Sequence, residues 1–236
     1  MTATPQLVVA LDLPEKDAAL TLAARLRGIV PWVKAGMELF TLCGPSVLSA
    51  LKDMGFHVFL DMKFYDIPNT VAQAVRSAAR SGADLITLHT QGGQRMCEAA
   101  REAADSLRAA GQPAPLLFGV TVLTSFGPGE MPGITAEPSA FAQELAQGAA
   151  RWGLDGIVCS AQEVARIKAV APSLACLCPG IRPEGSAQDD QRRIMTPAKA
   201  ILAGADYLVV GRPITRADDP TEAARRILSE MHIEKA

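Results

Sequence analysis

Four charged side chains lie at or beside the ends of short apolar segments, where a charge is costly unless it is paired. Lys34 ends one such segment, and Asp61, Lys63 and Asp66 follow another. Charged groups are rarely placed next to buried segments without partners. Side chains two residues apart on a strand point the same way, so Asp61 and Lys63 should share one face, whereas Asp66 should fall in the following loop. Adjacent strands should bring Lys34 into the same network.

The chemistry open to this network depends on the state of Lys63. A desolvated lysine can act as a Schiff-base nucleophile. Neighbouring carboxylates favour the protonated ammonium instead, which makes Lys63 a better proton donor than nucleophile. A purely structural cluster of salt bridges is the alternative interpretation. We favour a functional site because four such groups converge on one end of the predicted sheet.

A phosphate site is predicted from two further segments, each of which follows an apolar run. Pro179-Gly-Ile-Arg182 follows one run, and Gly211-Arg212-Pro213 follows the next. Backbone N–H groups of a glycine turn and the fork of an arginine side chain complement phosphate oxygens. Either segment alone is typical of a turn glycine followed by a solvated arginine. Their joint position favours phosphate binding.

The elements that would position these groups alternate regularly along the chain. Eight short apolar segments are predicted to be buried strands: 7–11, 32–35, 58–60, 85–88, 116–123, 156–159, 175–178 and 207–210. Segments of helical period lie between them, among them 15–26, 71–79, 96–110, 140–151 and 221–231. The order of strand then helix, repeated eight times, indicates an α/β protein.

This alternation predicts a single (β/α)8 TIM barrel that spans residues 1–236 as one catalytic domain. An open doubly wound sheet has the same periodicity and is the alternative architecture. The long connections 124–138 and 182–193 both follow strands, so in a barrel both lie on the catalytic face. The first connection after a strand lacks the glycines of a dinucleotide-binding fingerprint, and no P-loop motif occurs. Nicotinamide and P-loop chemistry are therefore not expected.

Composition limits the partners. The chain has 23 Lys and Arg against 25 Asp and Glu, so we expect no broad attraction to nucleic acid or to an anionic membrane. No apolar run reaches the roughly 18 residues of a membrane span, and the N-terminus lacks the basic start of a signal peptide.

The five cysteines are odd in number and scattered along the chain, which fits a protein of the reducing cytoplasm. Cys176 and Cys178 are expected to be buried strand thiols, because no second ligand pair accompanies them; no metal site is expected.

Motifs along nearly the whole chain resemble those of the orotidine 5′-monophosphate decarboxylase family. The most specific is Asp61-x-Lys63-x-x-Asp66 followed by Ile67-Pro-Asn-Thr70. The other matching segments are Val9-Ala-Leu-Asp12, Lys34-Ala-Gly36, Val120-Thr-Val-Leu-Thr-Ser125, Val158-Cys-Ser-Ala-Gln162, Pro179-Gly-Ile-Arg182, Asp190-Gln-Arg-Arg-Ile194 and Val210-Gly-Arg-Pro213. The resemblance implies a barrel that converts orotidine 5′-monophosphate (OMP) to UMP and CO2, the last step of de novo pyrimidine nucleotide synthesis.

The resemblance also implies a role for each matching residue. Lys63 would protonate C6 of the pyrimidine, Asp61 would lie against the substrate carboxylate, and Lys34 and Asp66 would complete the charged network. The remaining residues would bind substrate: Asp12 and Lys34 the ribose hydroxyls, Thr70 the ribose from the neighbouring subunit, Thr124 with Ser125 the base, and Arg182, Gln191, Gly211 and Arg212 the phosphate.

The same resemblance implies a cofactor-independent homodimer whose two active sites each use Asp66 and Thr70 of the other chain. Two rival interpretations remain. One is a sugar-phosphate decarboxylase or aldolase that stabilises an enediolate with Mg2+. The Leu123-Thr-Ser125 and Asp190-Gln191 matches disfavour it. The other is a non-catalytic nucleotide-binding barrel, which the presence of all four charged residues disfavours.

Overall fold

The computed structural model describes residues 4–184 and 193–232, which form a closed barrel of eight parallel strands. Each strand pairs with the next along the chain, and the last pairs with the first, as at Val9 and Val210. Helices follow the strands around the outside of the barrel. The predicted (β/α)8 barrel is therefore confirmed, and the open doubly wound sheet is excluded, because such a sheet has two unpaired edges.

The strands agree closely with the predicted segments. They are β1 (Gln6–Ala10), β2 (Trp32–Gly36), β3 (His57–Phe64), β4 (Leu85–His89), β5 (Leu116–Val120), β6 (Gly156–Val158), β7 (Ala175–Cys178) and β8 (Tyr207–Val210). Two boundaries differ by several residues. β5 stops at Val120, three residues short of the predicted end, and β3 continues past Leu60 to Phe64. The continuation of β3 carries Asp61 and Lys63.

Ten α-helices and one 3-10 turn at Thr90–Gly92 lie within the described residues. The helices are α1 (Lys16–Leu26), α2 (Met37–Cys43), α3 (Ser46–Asp53), α4 (Pro68–Arg80), α5 (Gly93–Ala109), α6 (Pro138–Arg151), α7 (Val164–Val170), α8 (Pro197–Leu202), α9 (Arg212–Thr215) and α10 (Pro220–Met231). None of them is long and apolar enough to cross a membrane. The five predicted helical segments correspond to α1, α4, α5, α6 and α10.

The strands are buried on both faces, which explains their continuous apolar sequences. Along β1, Val8 and Ala10 point into the barrel, whereas Leu7 and Val9 pack against the helices. The barrel interior is filled by a small cluster: Val8, Ala10, Trp32, Phe59, Leu85, Phe118, Leu177 and Val209. Because side chains alternate, the residues two positions beyond Trp32, Phe59 and Leu85 also face inward. These positions are Lys34, Asp61 and Thr87.

The connection between β5 and α6 packs on a core of its own. Val122 and Met131 in this connection contact Ala142 and Leu145 of α6. A long loop without such a cluster would expose its apolar side chains to water. This small core holds the residues just beyond Val122, including Thr124 and Ser125, at the mouth of the barrel.

Candidate active site

A cavity of about 860 Å3 opens at the carboxyl end of the strands. In parallel barrels this end carries the active site, because all eight connections that follow the strands meet there. Nine of the residues expected at the site line the cavity: Asp12, Lys34, Asp61, Lys63, Thr124, Ser125, Arg182, Gly211 and Arg212. The size is suitable for a nucleotide-sized ligand.

Lys34 lies at the centre of a charged network at the base of this cavity. Its side chain is almost fully buried, and its Nζ lies 2.8 Å from Oδ1 of Asp12 and 3.7 Å from Oδ2 of Asp61. Asp12 follows β1, Lys34 is on β2 and Asp61 is on β3, so neighbouring strands supply the three groups. Two carboxylates therefore lie within 4.0 Å of this buried ammonium. Any Cβ at Gly36 would lie 2.7 Å from this Nζ, so a side chain there would disturb the network.

Lys63 and Asp61 form the second ion pair of the network. The Nζ of Lys63 donates to both carboxylate oxygens of Asp61, each at 2.9 Å. The hydroxyl of Thr87 on β4 donates to Oδ1 of the same carboxylate, also at 2.9 Å. Asp61 therefore accepts three hydrogen bonds that fix its plane, and Lys63 is held at one position beside it.

The backbone at Lys63 has an unusual conformation that β4 helps to hold. Lys63 has a φ of 51°, the only positive φ of a non-glycine residue in the part of the chain that the structure describes. The register of β3 against β4 shifts between Leu60 and Phe64, which makes room for this residue. The backbone N–H of Lys63 donates to the hydroxyl of Thr87 at 3.0 Å. Such a conformation costs about 1–2 kcal/mol in an L-residue and is common at functional sites.

The charges around Asp61 set its protonation state. Burial alone would raise the pKa of Asp61, but Lys34, Lys63 and the hydrogen bonds from Lys63 and Thr87 outweigh it and hold the pKa below its usual value of 3.8. Burial and the Lys63 ammonium lower the pKa of His89, at the end of β4, although Asp61 opposes them. At neutral pH the site therefore contains an ionised Asp61 and a neutral His89.

Asp66 and Thr70 lie away from this network in the single chain. Both are exposed, and neither lines the cavity. Oδ1 of Asp66 accepts a hydrogen bond from the backbone N–H of Ile67 at 2.6 Å, and within residues 4–184 and 193–232 no ion pair of 4.0 Å or less joins it to a lysine. In the single chain, the fourth charged group of the network is Asp12, which pairs with Lys34. Tyr65 and Ile67 beside Asp66 expose 61% and 67% of their surface.

The segments expected to bind phosphate meet at the ends of β7 and β8, which are neighbouring strands. Arg182 is buried, and its backbone N–H donates to the carbonyl of Met195 at 3.0 Å. Gly211 follows β8 and precedes Arg212, the first residue of the short helix α9. Both arginines line the cavity. Gln191, the remaining residue expected at the phosphate, lies outside the described residues.

Comparison with known proteins identifies the family. Residues 5–227 match the model of the orotidine 5′-phosphate decarboxylase / HUMPS family, which is nearly the whole chain. The chain belongs to this family. An orotidine 5′-phosphate decarboxylase of Nitratidesulfovibrio vulgaris (strain DP4) is 57% identical over 96% of this chain and 97% of its own. One from Lawsonia intracellularis is 49% identical over 96% and 99%.

A solved structure agrees with the family assignment. The crystal structure of orotidine 5′-phosphate decarboxylase from Lactobacillus acidophilus covers 97% of this chain and 100% of its own, at 33% identity and a TM-score of 0.85. The family resemblance that the sequence motifs predicted is thus confirmed over nearly the whole chain. The name of this family covers more than one group of proteins, so the geometry of the site must support the choice of reaction.

Three further residues contact the site or lie beside it, and the sequence analysis did not single them out. Thr87 joins Asp61 and Lys63, as described above. Glu163 and Arg193 form a nearly buried ion pair beside the cavity. Thr87 stands among apolar residues of a strand, where a threonine is ordinary. Glu163 directly follows the matched segment from Val158 to Gln162, so its place in the sequence was a weak indication of a role. Its importance becomes clear only from its burial in the structure.

Proposed function

We propose that this chain decarboxylates OMP to UMP and CO2, the last step of de novo pyrimidine nucleotide synthesis. The observation that carries the proposal is the Lys63 ammonium, held 2.9 Å from both oxygens of Asp61 inside a cavity that two arginines also line. The names of the relatives support the same reaction. OMP has a carboxylate on the base and a phosphate at the other end, and the cavity offers cations for both.

The proposed role of Lys63 is to stabilise a carbanion and then protonate it. When the bond between C6 and the carboxylate carbon breaks, CO2 departs and the electron pair stays on C6. This pair lies in the plane of the ring, so the π system cannot delocalise it, and a fixed ammonium stabilises it electrostatically. A proton then moves from Nζ of Lys63 to C6, which gives UMP and a neutral amine that solvent reprotonates. Asp61 would lie against the substrate carboxylate and disfavour that bound charge.

The other site residues are proposed to bind substrate. Asp12 and Lys34 would hold ribose hydroxyls, since their ion pair at 2.8 Å lies at the cavity wall. Thr124 and Ser125 would contact the base. Arg182, Gly211 and Arg212, together with Gln191, would surround the phosphate, where an arginine fork and backbone N–H groups complement the oxygens. These roles need no metal or cofactor, and we propose that none takes part.

The test is direct. Purified protein is mixed with OMP after EDTA treatment, and the loss of the substrate's absorbance is followed, with UMP verified chromatographically. We expect full turnover without metal, unchanged when Mg2+ is added. Loss of turnover in EDTA that Mg2+ restores would overturn the proposal that no metal takes part. No turnover under either condition, by protein that still binds UMP, would favour the non-catalytic nucleotide-binding barrel.

We further propose that the enzyme is a homodimer in which each site uses Asp66 and Thr70 of the other chain. The exposure of both residues supports this, as does the exposure of the apolar side chains of Tyr65 and Ile67 on either side of Asp66. Exposed apolar groups of this size are typical of an interface. An isologous dimer would let the two chains exchange these residues reciprocally.

Hybrid dimers test this exchange. In a hybrid of Lys63→Ala and Asp66→Ala chains, one site would carry both defects and the other neither. If subunits assort at random, half the dimers are hybrids, so mixing two nearly inactive proteins after dissociation should restore roughly a quarter of wild-type activity. Verified hybrids without any gain over the parents would place Asp66 in the site of its own chain.

We also propose that residues 1–236 act as one catalytic domain in the cytoplasm, without nucleic acid or membrane partners. Free thiols at all five cysteines support a reducing compartment. The near balance of acidic and basic residues supports a small-molecule substrate over a polyanion.

A further inference from the structure

Glu163 and Arg193 form an ion pair that joins three connections at the mouth of the barrel. Glu163 follows β6 and is 3% exposed. One of its carboxylate oxygens accepts from the backbone N–H of Ser160 at 3.0 Å, and the other pairs with Nη1 of Arg193. Burial raises the pKa of Glu163, although Arg193 lowers it. The pair is therefore held in a site that excludes most water.

The other guanidinium nitrogen of Arg193 reaches the connection after β5. Nη2 donates to the carbonyls of Leu123 at 3.1 Å and Val122 at 3.3 Å. The next two residues, Thr124 and Ser125, are those proposed to contact the base. One planar guanidinium thus joins a fixed carboxylate to the backbone that carries the base contacts, which a lysine could not do in the same geometry.

Arg193 is also close in sequence to Met195, which contacts the segment proposed to bind phosphate. Met195, two residues later, forms a parallel β-bridge with Ile181. Its carbonyl accepts a hydrogen bond from the backbone N–H of Arg182 at 3.0 Å. Arg182 is proposed to bind phosphate. Two sets of hydrogen bonds, joined by the short covalent segment 193–195, therefore connect Arg182 to the Leu123 carbonyl, and Glu163 anchors Arg193.

We propose that Arg193 is a positioning residue that couples the phosphate end of the cavity to its base end, with Glu163 as its anchor. The proposal rests on the proposed decarboxylase function. Its consequence is that phosphate contacts and base contacts do not act independently. Phosphate held by Arg182 and Arg212 fixes Met195 through the hydrogen bond from the Arg182 backbone, and Arg193 transmits that position to Thr124 and Ser125.

A double-mutant cycle measures this coupling. Arg212→Ala removes a phosphate contact and Ser125→Ala removes a base contact, and kcat/KM for OMP is measured for both variants and for the double variant. In protein that retains Arg193, we expect the fold-loss in kcat/KM of the double variant to differ from the product of the two single fold-losses by about five-fold or more. In the Arg193→Ala background the losses should multiply to within about two-fold. Added guanidinium ion should restore the coupling.

Two further variants keep the test decisive. Arg193→Ala leaves Glu163 buried without its cation, so the cycle is repeated in Arg193→Ala/Glu163→Gln, which removes both charges and keeps a side-chain oxygen that can accept the Ser160 N–H. Arg166→Ala is the matched control, because Arg166 is an exposed arginine on α7, the helix that Glu163 precedes; coupling should be unchanged there. Coupling of equal size with and without Arg193, or additive losses in the wild-type background, would overturn the proposal. Wild-type protein that does not turn over OMP would refute the proposed function instead, before any cycle is measured.

Discussion

Thr87 offers a sharp test of how the network is held, because one hydroxyl serves both members of the Asp61–Lys63 pair. It donates to Asp61 at 2.9 Å and accepts from the backbone N–H of Lys63 at 3.0 Å. Thr87→Val keeps the shape of the side chain and removes both hydrogen bonds. A hydrogen bond to an ionised carboxylate contributes about 1.5–3 kcal/mol, and an unsatisfied buried N–H costs about 1–3 kcal/mol. The better burial of a methyl group offsets part of this loss.

We therefore expect Thr87→Val to lower the free energy of unfolding by about 3 kcal/mol. In a chain of this size, that corresponds to a fall in Tm of about 6–12 °C. With Asp61 and Lys63 less well fixed, kcat for OMP should fall by about 10- to 100-fold, since misplacement of a reacting group by about 1 Å has an effect of this order. KM should change much less, because Thr87 does not line the cavity.

Two control substitutions separate the hydroxyl from the packing. Thr87→Ser retains the hydroxyl and should keep most of the activity. Thr90 is also fully buried, but its hydroxyl has no hydrogen-bond partner among the described residues. Thr90→Val should therefore leave Tm unchanged or raise it. If Thr87→Val and Thr90→Val gave the same Tm and the same kcat, the hydroxyl of Thr87 would have no special role, and our reasoning would be wrong.

Three further predictions follow from the site. Lys63→Ala should nearly abolish decarboxylation while UMP still binds, because the ammonium matters most where negative charge develops; near-normal turnover would refute the proton-donor role. Arg212→Ala should lower kcat/KM for OMP by about 10- to 100-fold and leave the slow reaction of orotidine almost unchanged. Equal losses of kcat/KM on both substrates would indicate that Arg212 has a role in the fold. Because the folded-state pKa of Asp61 lies below 3.8, its charged form stabilises the fold above that pH, and the stabilisation is lost as pH falls through the folded pKa. Thermal unfolding of Asp61→Asn should accordingly show a weaker fall in Tm below pH 4 than wild type; a parallel fall would exclude this source of acid sensitivity.

The barrel and much of the site could be predicted because inward and outward positions of a strand differ by one residue. A charged residue two positions after a buried aromatic, as Asp61 is after Phe59, must face the barrel interior near its mouth. The short helices were harder to predict. α2 and α3 have seven and eight residues, and Gly44 and Pro45 interrupt the sequence between them. About two turns are too few for a clear helical period.

Two features of the site depend on contacts that no local pattern encodes. The left-handed conformation of Lys63 requires the register shift between β3 and β4, and Thr87 acquires its role only when β4 lies beside β3. The same holds for Glu163 and Arg193, which are 30 residues apart and meet only when the barrel closes. Long-range pairing therefore decides which polar residues of a buried strand or loop become part of the site.

The charge balance of the network bears on how it would favour decarboxylation. The carboxylates of Asp12 and Asp61 balance the ammonium groups of Lys34 and Lys63, so the four groups together carry no net charge. A substrate carboxylate placed beside Asp61 adds one negative charge next to a carboxylate that is already ionised. As CO2 leaves, that charge moves from the carboxylate to C6, away from Asp61 and toward the ammonium of Lys63. The same two side chains would thus oppose the bound carboxylate and stabilise the carbanion, and interactions that strengthen toward the transition state are the ones that raise kcat.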